Sequence, residues 1–151
     1  MREIKFRAKD TLERNWYIGS YMFTNDNTNN PFRSEPFKES HRIIFYSSCD
    51  WNMGGWNDVE IDPSTLGQYT GLQDKNGKEI YEGDIVLTPF VDPIFGDMVG
   101  EDLCVKRQVK FNDGSFVVNE GDGFIYLECF TRNNHIEICG NIHDNQELLT
   151  K

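Results

Sequence analysis

The chain has 151 residues, 13% of them aromatic, and a formal net charge of -10 from 25 acidic and 15 basic side chains. Such a length and aromatic content suit a folded chain with a core of its own, not a disordered tail. The acidic excess argues against loose binding to duplex DNA, which needs Lys and Arg on the phosphates, and against docking on an anionic membrane.

Ile4, Phe6 and Ala8 alternate with Lys5, Arg7 and Lys9, which predicts a strand with one apolar and one basic face. Asp10 to Arg14 is turn-like, and the aromatic run Trp16 to Phe23 predicts a second strand in hairpin with the first. Thr24 to Pro31 is rich in Asn and is expected to form an exposed loop. Ile43 to Tyr46 and Val59 to Ile61 are short strand candidates, with Gly54-Gly55 suggesting a turn between aromatics. Asp62-Pro63-Ser64 is the expected boundary, dividing the chain into a lobe of 1–63 and a lobe of 64–151. Beyond it, Asn76-Gly77 and Asn112-Asp113-Gly114 are turn signals. Strands are expected around Ile85-Val86, over Val105 to Phe111, at Phe116 to Val118, over Phe124 to Phe130 and over His135 to Cys139, where Gly140 would stop the last. Of Ile85 and Val86, alternation allows only one to fill the core. Asp144 is placed to cap a last helical turn through Gln146 to Leu149. No stretch keeps a helical period over three turns. Short strands joined by Gly, Asn and Asp predict a mostly β protein, an irregular first lobe followed by a small barrel.

Three blocks carry a family resemblance. Met1-Arg2-Glu3-Ile4-Lys5-Phe6-Arg7-Ala8 resembles the start of the YopX family of phage and prophage proteins. Gly67-Gln68-Tyr69-Thr70-Gly71-Leu72-Gln73-Asp74-Lys75-Asn76-Gly77-Lys78-Glu79-Ile80-Tyr81-Glu82-Gly83-Asp84-Ile85-Val86 is similar to its central signature, and Ile138-Cys139-Gly140-Asn141-Ile142-His143-Asp144-Asn145-Gln146-Glu147-Leu148-Leu149 to its closing segment. Lys9 departs from the Trp the family often has there, and the Asn-rich loop and Cys49 to Trp56 match no family pattern. The resemblance implies an SH3-like barrel in the second lobe and names no catalytic residue. Within the signature, Tyr69, Gly71, Gly77, Gly83 and Asp84 are expected to be structural, since tight turns demand Gly, Asn and Asp.

Cys129, His135, Cys139 and His143 attract attention as zinc ligands, but four residues of strand span about 13 Å while zinc bonds are about 2.0–2.3 Å. No metal and no cofactor are expected. Ser47, Ser48, Cys49 and Asp50 lack a nucleophile-elbow context, and the carboxylates of Glu79, Glu82 and Asp84, or of Asp58, Glu60 and Asp62, read as solvated rims. No enzyme is expected. Tyr46, Trp51 and Trp56 are candidates for a protein-binding surface, because Trp and Tyr are enriched in hot spots. Lys5, Arg7, Lys9, Trp16 and Tyr17 are candidates for a single-strand nucleic-acid platform of cations beside aromatics. On an edge strand the same charges would only guard against aggregation.

The expected function is that of a non-catalytic phage or prophage accessory protein that binds a host or phage macromolecule, a protein before a nucleic acid. Nucleic acid is the second reading, and an enzyme of unknown reaction the third. No membrane partner is expected, and exposed strand edges allow a homo-oligomer. The charged start, without an apolar leader, and four cysteines (Cys49, Cys104, Cys129 and Cys139) without a CxxC pair point to the bacterial cytoplasm.

Overall fold

The computed structural model describes residues 3–25, 39–48, 54–90, 104–120, 123–131 and 135–150; most of the Asn-rich loop, Cys49 and Trp51 lie outside them. Among these residues the chain is mostly β, in two antiparallel sheets, neither of them closed. Contacts group it into two compact units, Ile4–Gln68 and Tyr69–Lys151 with Met1–Glu3.

In the first unit, strand β1 (Phe6–Lys9) pairs with β2 (Trp16–Asn25), β2 with β3 (Glu39–Ser47), and β3 with β4 (Gly55–Glu60), all antiparallel. The β1–β2 turn forms because the Asp10 carboxylate accepts the backbone N–H groups of Leu12, Glu13 and Asn15 at 2.7, 2.6 and 2.8 Å. An Asp side chain thus replaces the backbone partners that a tight turn leaves without acceptors. Buried Ala8, Ile43 and Ile61 form the centre of the core, with Phe6, Tyr17 and Tyr21 packed around them. Gly19 is fixed by close approach: a Cβ there would stand 2.1 Å from the Ile44 carbonyl oxygen on β3. After β4 the chain makes a 3-10 turn at Pro63–Thr65, capped by Asp62, whose side chain accepts the Ser64 amide at 3.0 Å. The Thr65 hydroxyl oxygen accepts the Lys9 amide at 2.9 Å. Strand β1 lies inside its sheet, since Phe6 and Arg7 also pair with Gln68 and Gly67, so its basic residues are not guards of an open edge.

Strand β5 (Gly67–Gln73) pairs with β1 through Gly67 and Gln68 and with β6 (Glu79–Tyr81) from Tyr69 onward. In the second unit, β7 (Asp84–Pro89), β8 (Cys104–Asn112), β9 (Ser115–Glu120) and β10 (Gly123–Tyr126) follow as an antiparallel meander, and β11 (Glu137–Asn141) returns beside β7, giving the order β10-β9-β8-β7-β11. The β8–β9 hairpin turns at Asp113 and Gly114, both at positive φ (47° and 83°), the geometry that matches strand twist in a two-residue loop. Val86, Val109, Val118, Leu127, Phe130 and Ile136 centre this core.

Four expectations change. Ile85 and Val86 are both fully buried, because β7 is interior to its sheet and covered on both faces. The run from Phe124 to Phe130 is strand only to Tyr126; a short helix α1 (Glu128–Thr131) follows and turns Phe130 into the core. Gly140 does not stop β11. It lets the last turn approach, since a Cβ there would meet Asn145 Oδ1 at 2.6 Å and Leu148 Cδ1 at 2.9 Å. That last turn, Gln146–Leu149, begins at Asn145 and not at Asp144, and it has no side-chain cap.

Candidate functional site

Period-2 geometry sorts the candidate residues onto two faces of the first unit. Arg7 stands opposite Ile18 and Lys9 opposite Trp16, while Ser20 opposite Ile44 carries the same face to β3, and Tyr46 opposite Trp56 carries it to β4. Arg7, Lys9, Trp16, Tyr46 and Trp56 therefore share one face. Tyr17 pairs with Ala8 on the other face, and its ring lies 5.4 Å from that of Phe45 against the core. Lys5 stands just before β1 and is half-buried.

The aromatics on the shared face are not equivalent. The Arg7 guanidinium and the Lys9 ammonium lie 4.9 and 5.3 Å from the Trp16 ring centroid, and Lys9 is only 8% exposed. Trp16 is a cation-covered ring, which a stacking base would have to uncover. Tyr46 and Trp56 are 59% and 75% exposed and pack edge to face, with centroids 5.7 Å apart. The Tyr46 ring reaches this position across Gly54, where a Cβ would fall 2.0 Å from the Tyr46 hydroxyl oxygen. Beside the pair, Arg42 Nη1 meets Asp58 Oδ2 at 2.6 Å. Trp51 lies outside the described residues.

Asp84, expected on a solvated rim, is 1% exposed, and it, Asp62 and Glu79 each have a local structural task. Asp62 accepts Ser64 Oγ at 2.6 Å and Arg14 Nη1 at 2.5 Å, and these bonds hold its carboxyl down to about 2. Glu79 accepts the Tyr81 hydroxyl at 2.8 Å, and Asp84 accepts the Tyr81 amide at 2.8 Å. Among the described residues, no three His, Cys, Asp or Glu side chains converge as a metal site would require. Cys139 occupies the bulge of β11 beside Ile85; its side chain is exposed, but its thiol donates to the Ile85 carbonyl at 3.3 Å and partial desolvation pushes its pKa up.

The signature block ties turns to strands. Gly71, Gly77 and Gly83 all have positive φ, near +80°, which favours glycine. Gly83 joins two elements: its amide donates to Val109 and its carbonyl accepts from Ile142, at 3.0 and 2.9 Å. Tyr69 packs on Tyr81 with centroids 5.4 Å apart.

Two features were not legible from sequence reasoning. Asp74, 5% exposed, accepts the amides of Asn76 and Lys78 at 2.8 and 2.9 Å and of Ile138 at 3.2 Å. Burial raises its pKa, but these donors outweigh burial and leave the value lowered. Arg107, 4% exposed, donates to the Thr88 hydroxyl and to the Pro89 carbonyl. It sits in the alternation with Val105 and Val109, a place where sequence predicts an apolar residue. An Asp one place before a Lys-Asn-Gly turn was the available signal for Asp74; none marked Arg107.

The YopX protein family model matches residues 5–150. The chain belongs to the YopX family. Among solved structures it is similar to the crystal structure of protein EF1440 from Enterococcus faecalis, with a TM-score of 0.57 and 23% identity over 99% of both chains. At that identity the likeness shows a YopX chain and EF1440 sharing a fold. A search of curated proteins finds no match. No helix among the described residues of this YopX protein is long and apolar enough to cross a membrane.

Proposed function

We propose that this YopX protein is a non-catalytic binding module, a phage or prophage accessory protein of the bacterial cytoplasm, which grips a host or phage protein with Tyr46 and Trp56. The observation that carries this reading is the exposed edge-to-face pair on β4 and β3, in which two large rings remain in water. Large exposed aromatics in a fixed geometry are the residues that dominate interface energies, because they desolvate much area at little entropy cost. The net charge of -10 agrees with a protein partner better than with a phosphate backbone. The nucleic-acid reading keeps Arg7 and Lys9 but loses its two rings, one under those cations and one turned to the core.

For the second unit we infer an SH3-like barrel. The support is the strand order, a meander whose final strand returns beside its first.

The test is capture by the tagged full chain from bacterial lysate, with and without nuclease, beside Trp56→Ala, Tyr46→Ala and Arg7→Gln. A stoichiometric protein that survives nuclease and high salt, is lost with either aromatic variant and is kept by Arg7→Gln supports the reading. Capture that vanishes with nuclease, or that ignores both aromatic variants, overturns it.

A further inference from the structure

The second unit carries an acid-and-aromatic surface that shares no residue with the Tyr46–Trp56 pair. A hollow of about 430 Å³ is lined by Leu72, Ser115, Phe116, Tyr126 and Glu128, together with Thr70 and Gly114. A second, of about 250 Å³, is lined by Asn112, Asp113, Val117, Phe124 and again Tyr126. Each therefore combines aromatic rings with one carboxylate, and Tyr126 serves both. Among the described residues neither lining contains a Lys or Arg; Lys110, which pairs with Val117 on the same face as Tyr126, lines neither. Phe124 and Tyr126 are more than half exposed, which a ring serving only the core would not be.

An aromatic ring attracts a cation through the negative potential of its face, and a nearby carboxylate adds a charge partner. The chain as a whole is acidic, by -10, so a cationic segment is drawn toward it and an anionic one repelled. Both aromatics come from β10, which ends its sheet with no strand beyond it among the described residues. An extended chain can lie along such an edge, and its neighbouring side chains then point to opposite faces, as adjacent Phe116 of the first hollow and Val117 of the second do. From these observations we propose that the two hollows receive successive basic side chains, Lys or Arg, of an extended segment of a protein partner. Glu128 with Phe116 and Tyr126 takes one, and Asp113 with Phe124 and Tyr126 takes the other.

The experiment is an amide NMR titration of the ¹⁵N-labelled full chain with an acetylated and amidated Thr-Lys-Arg-Thr peptide, whose adjacent basic side chains point to opposite faces when extended. The expected result is movement of the Asp113, Gly114, Ser115, Tyr126 and Glu128 signals. Glu128→Gln and Tyr126→Leu should each weaken binding about fivefold or more. Glu39→Gln, which removes an exposed carboxylate of the first unit, should leave it unchanged. Glu128→Gln is isosteric and exposed, so it reports on binding even if Tyr126→Leu perturbs the fold. Three results would overturn the proposal: no movement at these positions, an equal loss in Glu39→Gln, or the same response to spermidine as to the peptide.

Discussion

Asp74 Oδ2 accepts the backbone N–H of Ile138 at 3.2 Å, a bond between residues 64 positions apart. The other carboxylate oxygen holds the Asn76 and Lys78 amides, so one side chain both closes the signature turn and ties it to β11. Asp74→Ala leaves three amides without their acceptor. The expected loss is about 3 kcal/mol, at about 1–3 kcal/mol for each group left unsatisfied where water cannot reach. Urea denaturation of the two proteins measures it, and a loss under 1 kcal/mol would mean that water replaces the carboxylate.

Asp62 gives a pH dependence of known sign. Its bonds to Ser64 and then Arg14 lower its pKa from 3.8 to about 2. A carboxyl lowered by folding stabilises the folded chain fully above its unfolded value, and this contribution disappears as pH falls toward the folded one. Asp74 and Asp10 are shifted in the same direction, by backbone donors that outweigh burial. Stability should therefore fall between about pH 4 and pH 2, and Asp62→Asn should make that fall shallower. Urea midpoints across the range compare the two; parallel curves would remove Asp62 from the account.

Gly19→Ala should weaken the first sheet. The new methyl would stand 2.1 Å from a backbone oxygen of Ile44, which no side-chain rotation relieves. Overpacking of this kind costs about 1–3 kcal/mol, seen as a lowered Tm. Gly55→Ala is the control, since a Cβ there meets nothing within 4 Å.

Trp56→Ala should leave stability within about 0.5 kcal/mol, as exposed substitutions do. The ring is 75% in water and contributes little to the core. A Tm unchanged while partner capture is lost would separate binding from folding at this residue. A large drop in Tm would instead make the Tyr46–Trp56 pair a structural contact.

Cys139 should alkylate slowly. The side chain is exposed, so the reagent can reach it, but partial desolvation raises its pKa and its thiol donates to the Ile85 carbonyl, which together keep the thiolate fraction low near neutral pH. Mass spectrometry after brief iodoacetamide treatment at pH 7.5 should find Cys139 modified less than after urea unfolding. Equal rates in both conditions would show that the hydrogen bond to Ile85 does not suppress its thiolate.

The strands were legible where two periods coincided with turn residues. The alternation of Phe6 to Lys9, the Asn76-Gly77 turn and the Asp113-Gly114 hairpin all follow from side-chain period and allowed φ. The failures have a common origin in tertiary contact. Alternation assigns Ile85 and Val86 to opposite faces but cannot say that both faces are covered. Gly140 reads as a strand breaker until Leu148 and Asn145 are seen against it. At the candidate site, sequence named both aromatics of the exposed pair and both cations of the other group. Alternation puts Trp16 and Tyr17 on opposite faces, but which of them meets the cations depends on which residue of β1 stands opposite each.

Strand β7 has β8 on one side and β11 on the other, and the amide of Ile142 reaches back to Gly83. During synthesis this imposes an order of events. The hairpins of the first unit join neighbours in sequence and can form while the ribosome is still translating the rest. The β7–β11 ladder needs residues 137–141, so the second core stays open along one flank until they have left the exit tunnel. Contacts so distant in sequence close slowly, and an open flank on a growing chain is a site for chaperone capture or for pairing with another nascent chain.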